Sequence, residues 1–206
     1  CKILSKKANY IVYNSFSGKE FHQNNGFSNS ESSVIHNGVD NKRFKFSISL
    51  RKKLRKKYNF NSKDLVVLCV GRLDPMKNHK ALLLAYEKIY SHFKNLKLVF
   101  IGKDTEALEA IGVLALGMKI NIEKYYNMGD VIILPSSFGE GCPNVLLEGM
   151  LCKLFPVSTN VGDAKLIIED TGLIIKTPAV NDIQKALTTV ASMNKKEIKK
   201  ISENAL

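Results

Sequence analysis

From residue 64 onward the apolar positions fall into a repeating rhythm. Leu65–Val70 is an unbroken apolar run ended by Gly71, the pattern of a strand buried on both faces. Residues 79–93 follow with Ala81, Leu82, Ala85, Tyr86, Ile89, Tyr90 and Phe93 at helical spacing. Residues 96–101 predict a second strand ended by Gly102, residues 105–110 a short helix, and residues 112–116 a short strand. The alternation continues with a helix over 122–128, a strand over 131–134, a helix over 143–151 and strands over 154–157 and 172–175. A helix over 181–193 and a last one over 195–206, with Ile198 and Ile201 on one face, complete it. Strand, loop and helix in this order predict right-handed crossovers and an α/β class: a doubly wound, Rossmann-like parallel sheet. Such sheets bind ligands outside the carboxyl ends of their strands, so the loops after strands are where chemistry is sought.

Residues 1–40 stand outside that alternation. Residues 8–13 read as a strand, 15–24 as a helix and 33–35 as another short strand before the Asn37-Gly38 turn signal. The expected organisation is a domain tail and linker over 1–40, a Rossmann-like domain over 41–193, and the start of a helix over 194–206. The opening at Cys1 in mid-pattern, without Met, raises the expectation of a piece of a longer polypeptide.

The 206 residues are 45% hydrophobic and 24% charged, enough apolar surface for a core and inconsistent with a disordered chain. Cys1, Cys69, Cys142 and Cys152 match neither metal-ligand spacing nor a dense disulfide framework, so reduced thiols in a cytoplasmic protein are expected. No apolar run reaches the ~18–20 residues that span a bilayer. The net charge of +12 is uneven, with +11 over residues 1–63 and +1 over the rest. It centres on residues 51–57, where Leu50, Leu54 and Tyr58 give a helix a thin apolar stripe and a broad cationic face. A solvated face is the plain reading; the functional one is peripheral contact with an anionic membrane. Nucleic acid is not expected as a partner, because no aromatic stacking platform interleaves the charges.

Two loops carry candidate chemistry. After the first buried strand, Gly71 allows a sharp turn, and Arg72 and Lys77 stand five residues apart, placed to grip a polyanion or to be ordinary surface cations. After the strand over 131–134, glycines flank Glu140, and Pro143 suits the first position of the next helix. That helix would aim its unpaired amides at an anion. Glu148 lies further along it among Val145, Leu146, Leu147, Met150 and Leu151, and a carboxylate on so apolar a helix needs partners. Paired carboxylates also serve glycoside hydrolysis. The cations and helix terminus on the same edge favour a phosphorylated ligand instead. Neither a dinucleotide-type nor a Walker-type glycine loop occurs.

The segment from Glu140 to Met150 resembles the E-x₇-E motif of retaining GT-B glycosyltransferases, in the large family-four branch. The resemblance continues in order through Val34 to Asp40 with Phe44, Gly71-Arg72-Leu73 with Lys77, residues 98–102 and 125–136, Asn160 to Asp163, and Asp170 to Leu173. It covers nearly the whole chain and identifies it as the carboxyl-terminal, donor-binding half of a GT-B fold.

This resemblance implies sugar transfer from a UDP- or GDP-sugar to a glycan or lipid-linked acceptor with retention at the anomeric carbon. It places the chain in cell-surface polysaccharide or lipopolysaccharide synthesis. It assigns Arg72 and Lys77 to the departing diphosphate, Glu140 to the sugar hydroxyls and Glu148 to the ribose. The backbone of Gly71, Gly141, Cys142, Pro143, Asn144 and Val145 would line the phosphate and sugar, and Met118 the base. No metal and no further cofactor are expected. Set against the GT-B plan, residues 1–40 are expected to be the tail of the acceptor domain, and the final helix is expected to be cut short after Leu206. The alternative is therefore a nucleotide-sugar-binding fragment without independent catalytic activity. His22, His36, His79 and His92 match no catalytic position, and Cys142 lacks the matched base a nucleophile needs.

Overall fold

The computed structural model describes residues 2–27 and 31–203. Its first part holds α1 (Lys2–Ser5), β1 (Ile11–Tyr13), α2 (Phe16–Asn24), β2 (Ser32–Val34) and α3 (Ile48–Lys57). Next come β3 (Leu65–Val70), α4 (His79–Tyr90), β4 (Leu96–Ile101), β5 (Val113–Ala115), α5 (Ile122–Tyr126) and β6 (Val131–Leu134). The last part holds α6 (Asn144–Leu151), β7 (Phe155–Thr159), α7 (Ala164–Ile168), β8 (Leu173–Ile175), α8 (Val180–Ser192) and α9 (Lys195–Glu203). Cys1 and residues 204–206, on which sequence expectations also fell, lie outside the described residues.

β1 and β2 pair in parallel as a separate two-stranded sheet, while six parallel strands run in the order β5-β4-β3-β6-β7-β8. Counted from β3, this is the 3-2-1-4-5-6 order of a doubly wound sheet, whose reversal point lies between β3 and β6. Each central strand is apolar on both sides because helices cover both faces. Leu82, Tyr86, Ile183, Leu187 and Ile198 close one face from α4, α8 and α9. Leu54, Tyr126, Leu146 and Ile168 close the other from α3, α5, α6 and α7.

Three local expectations are corrected. Residues 105–110 form a single 3-10 turn, Thr105–Ala107, because Leu108 leaves helical geometry (φ −95°, ψ 87°) and is buried. Pro143 stands at the N-cap of α6 in an extended conformation (φ −76°, ψ 93°), one position earlier than expected, and its carbonyl accepts from the Leu146 amide at 3.0 Å. The cationic face of α3 is narrower than the sequence implies. Arg55 is buried, donating to the Met128, Asn61 and Asp64 carbonyls and to Asp130, and Arg51 also turns in to Asp130. Lys52, Lys53, Lys56 and Lys57 stay exposed.

Asp130 is thus a lock at the amino edge of the sheet. Besides the two guanidinium groups it accepts from the Val66 amide at 2.8 Å, tying α3, β3 and the entry to β6 together. Removing one partner of a mostly buried ion pair leaves the other charges uncompensated. Asp130→Asn is expected to lower stability by about 3 kcal/mol in urea unfolding, a loss that Lys52→Gln, at an exposed position, should not reproduce.

Candidate active site

The carboxyl ends of β3 and β6 part at the reversal point, and their two loops meet across the gap. β3 and β6 share only the pairs Val67↔Val131 and Leu68↔Ile132. Beyond them the Ser137 amide donates to the Met76 carbonyl at 2.8 Å. The Asn78 side-chain amide donates to the carbonyls of Pro135 at 3.1 Å and Pro178 at 2.8 Å. Asn78 adopts the left-handed conformation (φ 56°) that turns the chain from the 3-10 turn Pro75–Lys77 into α4. The loop after β3 is held to β4 as well, through Gly71 N to Ile101 O at 2.9 Å and Leu73 N to Lys103 O at 2.8 Å.

These constraints bring Lys77 onto Glu140. Lys77 Nζ donates to Glu140 Oε1 at 2.6 Å, and Ser136 Oγ donates to the same oxygen at 2.6 Å. The Glu140 side chain is 9% exposed and that of Lys77 17%, so the pair is largely buried at the reversal point, the place where doubly wound sheets open their ligand crevice. Arg72 lies at the mouth, 61% exposed, with Nε and a terminal nitrogen each 3.1 Å from Asp74 Oδ2. The Met76 amide and Arg72 hold the Asp74 carboxyl below the usual carboxylate range, against the effect of burial. Both cations singled out from the sequence are therefore at the reversal point, each resting on an acid.

The glycine-flanked loop that carries Glu140 is anchored from behind. Asp163 accepts from the amides of Phe16 at 2.7 Å and Ser17 at 2.9 Å, the first turn of α2, and contacts His36 Nε2 at 2.7 Å. Its own amide donates to the Gly141 carbonyl at 2.9 Å. Burial raises the Asp163 carboxyl, but the Ser17 amide, His36 and the Phe16 amide outweigh it, leaving the group below its ordinary value. The preceding Gly162 (φ 55°) is required by contact: a Cβ there would lie 2.2 Å from the Gly141 carbonyl oxygen. Asn37 reaches the same loop, its side-chain amide 3.0 Å from Asn144 Oδ1.

At α6 no side chain caps the helix, leaving the first amides, Asn144 and Val145, without the capping partner that Asp163 gives α2. The Val145 side chain packs against the core. Cys142 is buried, and that burial raises its thiol pKa, which keeps it protonated and unsuited to nucleophilic attack. Glu148 has found the partner its apolar helix demands: the Tyr126 hydroxyl donates to Oε2 at 2.5 Å. Burial pushes the Glu148 carboxyl above its ordinary range, offset in part by Tyr126 and the Arg43 charge. Met118 lies exposed after β5, on the same edge of the sheet but three strands from β6. His79 is buried against Phe100, its imidazole pushed down to about 4 by burial, and so adds no charge to the crevice near neutral pH.

Sequence reasoning singled out none of Ser136, Asn78, Tyr126 and Asp163 individually. Tyr126, Ser136 and Asp163 enter it only as parts of longer motifs, and the amide of Asn78 gives no signal of its own.

A raised carboxyl pKa means that the charged form of Glu148 opposes folding above the folded-state pKa. That opposition is relieved as pH falls through the folded value and is gone below the unfolded one. Glu148→Gln, which can still accept from Tyr126, is expected to stabilise the fold at pH 8 by about 1 kcal/mol. The gain over the parent should vanish toward pH 4 in paired urea titrations.

The family model described as Glycosyl transferases group 1 matches residues 51–206. The chain is 32% identical over 146 residues to the N-acetylgalactosamine-N,N'-diacetylbacillosaminyl-diphospho-undecaprenol 4-alpha-N-acetylgalactosaminyltransferase of Campylobacter jejuni, covering 65% of this chain and 39% of that protein. It is 27% identical over 160 residues to the lipopolysaccharide 1,2-N-acetylglucosaminetransferase of Salmonella typhimurium, covering 65% and 42%. The chain therefore spans about two-fifths of the length of these relatives. Among solved structures it resembles Anabaena Alr3699/HepE in complex with UDP and glucose, with a TM-score of 0.84, 22% identity, and 98% of this chain and 59% of that one covered. That likeness extends to the Rossmann-like architecture of GT-B enzymes. Most of the chain lies inside the matched family, and its fold is the one that family uses: this protein belongs to the group 1 glycosyl transferases.

Proposed function

We propose that the crevice between β3 and β6 binds a nucleotide-diphosphate sugar and that the chain serves sugar transfer with retention at the anomeric carbon. The observation that carries this reading is the convergence of Lys77, Glu140 and an uncapped helix terminus at the reversal point of the sheet. A departing diphosphate gains negative charge as the glycosidic bond breaks, so fixed cations and amides there lower the barrier. Lys77 and Arg72 supply the cations and the α6 amides the dipole. Glu140 accepts from hydroxyls of the transferred sugar. Glu148 does the same for the ribose, with Tyr126 fixing its orientation, and Met118 lies under the base. The cations of the chain meet the diphosphate charge in this scheme, with no metal required.

The names of the relatives support a polysaccharide or lipopolysaccharide setting, with a glycan or lipid-linked acceptor. UDP bound to the structural neighbour supports a nucleotide donor, UDP- or GDP-linked. We place the reaction on the cytoplasmic side. Among the described residues no helix is long and apolar enough to cross a membrane. Peripheral contact with anionic lipid falls to the exposed Lys52, Lys53, Lys56 and Lys57 at the amino edge, the end opposite the crevice.

Calorimetry with UDP, GDP and their sugars tests the reading. Binding of one nucleoside diphosphate is expected, weakened about tenfold or more by Lys77→Ala, and absence of any binding would refute the crevice assignment. In an intact enzyme the same substitution should lower turnover ~10²–10³-fold. The crevice would equally serve a nucleotide-sugar-binding module without catalysis, and transfer to a lipid-linked or saccharide acceptor separates the two.

A further inference from the structure

The acid at the centre of the crevice has two oxygens, and the fold treats them differently. Glu140 Oε1 accepts from both Lys77 Nζ and Ser136 Oγ, each at 2.6 Å, while among the described residues no donor is directed to Oε2. Ser136 is fully buried, at 0% exposure. Its backbone is fixed in turn, because Thr159 Oγ1, on the neighbouring strand β7, donates to the Ser136 carbonyl at 2.6 Å. Thr159 is itself buried. The adjacent Ser137 amide donates to Met76, so the hydroxyl cannot shift with the loop without breaking contacts on both sides.

Resting on the donor-binding reading above, we infer that Ser136 is a positioning residue: it holds Oε1 of Glu140 inward so that Oε2 is presented to the sugar. Lys77 cannot do this throughout the reaction. A bound diphosphate competes for its ammonium, and a carboxylate this buried needs a donor when the cation moves away. Ser136 is that donor. It is neutral, does not follow the phosphate, and comes from a different loop than Lys77. The relay Thr159, Ser136, Glu140 therefore keeps its geometry while the Lys77 contact is exchanged. The predicted signature is selective: the sugar half of the ligand feels Ser136, whereas the nucleoside diphosphate half does not.

Calorimetry on the full chain with UDP, UDP-glucose, GDP and GDP-mannose reads this out. For Ser136→Ala the nucleoside diphosphate Kd should stay within about twofold, while the nucleotide-sugar Kd rises about tenfold, the effect of losing a hydrogen bond to a charged group. Ser136→Thr, which keeps the hydroxyl, should restore most of the sugar term. Equal weakening of both ligands, or no change in either, overturns the role of Ser136 and leaves the crevice reading standing. If the parent chain binds none of the four, the crevice reading falls and this assignment falls with it. Should Ser136→Ala fail to fold, a crystal of the parent with its nucleotide sugar decides. Ser136 Oγ on Oε1 and a sugar hydroxyl on Oε2 uphold the assignment, and a hydroxyl turned away from Glu140 overturns it.

Discussion

The functional geometry hangs on how two parallel strands part company. β3 and β6 are neighbours in the sheet yet share only two residue pairs before they diverge. Where a ladder stops, backbone groups need other partners. Here they find them in the opposite loop: Met76 with Ser137, and Asn78 with Pro135. The crevice is thus a region where hydrogen bonding has passed from strand to loop. The loops that meet there are the ones bearing Lys77 and Glu140.

Two kinds of anion support flank this gap. The amino end of α2 is already occupied, its first amides closed on Asp163. The amino end of α6 has no such side chain. Two helix starts near the same loop are therefore not equivalent, and the open one is beside Glu140. At the other end of the sheet, Asp130 collects Arg51 and Arg55, so the most basic stretch of the chain spends two of its charges on folding.

The sheet was legible because burial on both faces demands unbroken apolar runs, and 65–70, 96–101 and 131–134 show them plainly. The parallel, doubly wound class followed from the alternation of strand and helix, whereas the strand order is read from the structure alone. Local features governed by a single backbone torsion were not legible. Pro143 reads as a first helical residue yet sits one position earlier, and the run from Thr105 toward Ala110 ends after one turn because Leu108 is drawn into the core. Arg55 could not be distinguished by charge pattern from Lys56 beside it, since the carboxylate that claims it lies 75 residues away. In the candidate site, charged and glycine-flanked positions announced themselves. The hydroxyl and amide groups that aim them, Ser136 and Asn78, did not, because their effect arises only when distant loops meet.

Asp163 joins two parts of the molecule that share no large sheet. One carboxylate closes the first turn of α2 and meets His36, while the amide of the same residue grips the Gly141 carbonyl. A displacement of the β1–α2–β2 unit cannot be absorbed at that point without releasing one of these bonds. Orientation of the small sheet and posture of the glycine-rich loop are mechanically geared, with a single short side chain as the pinion.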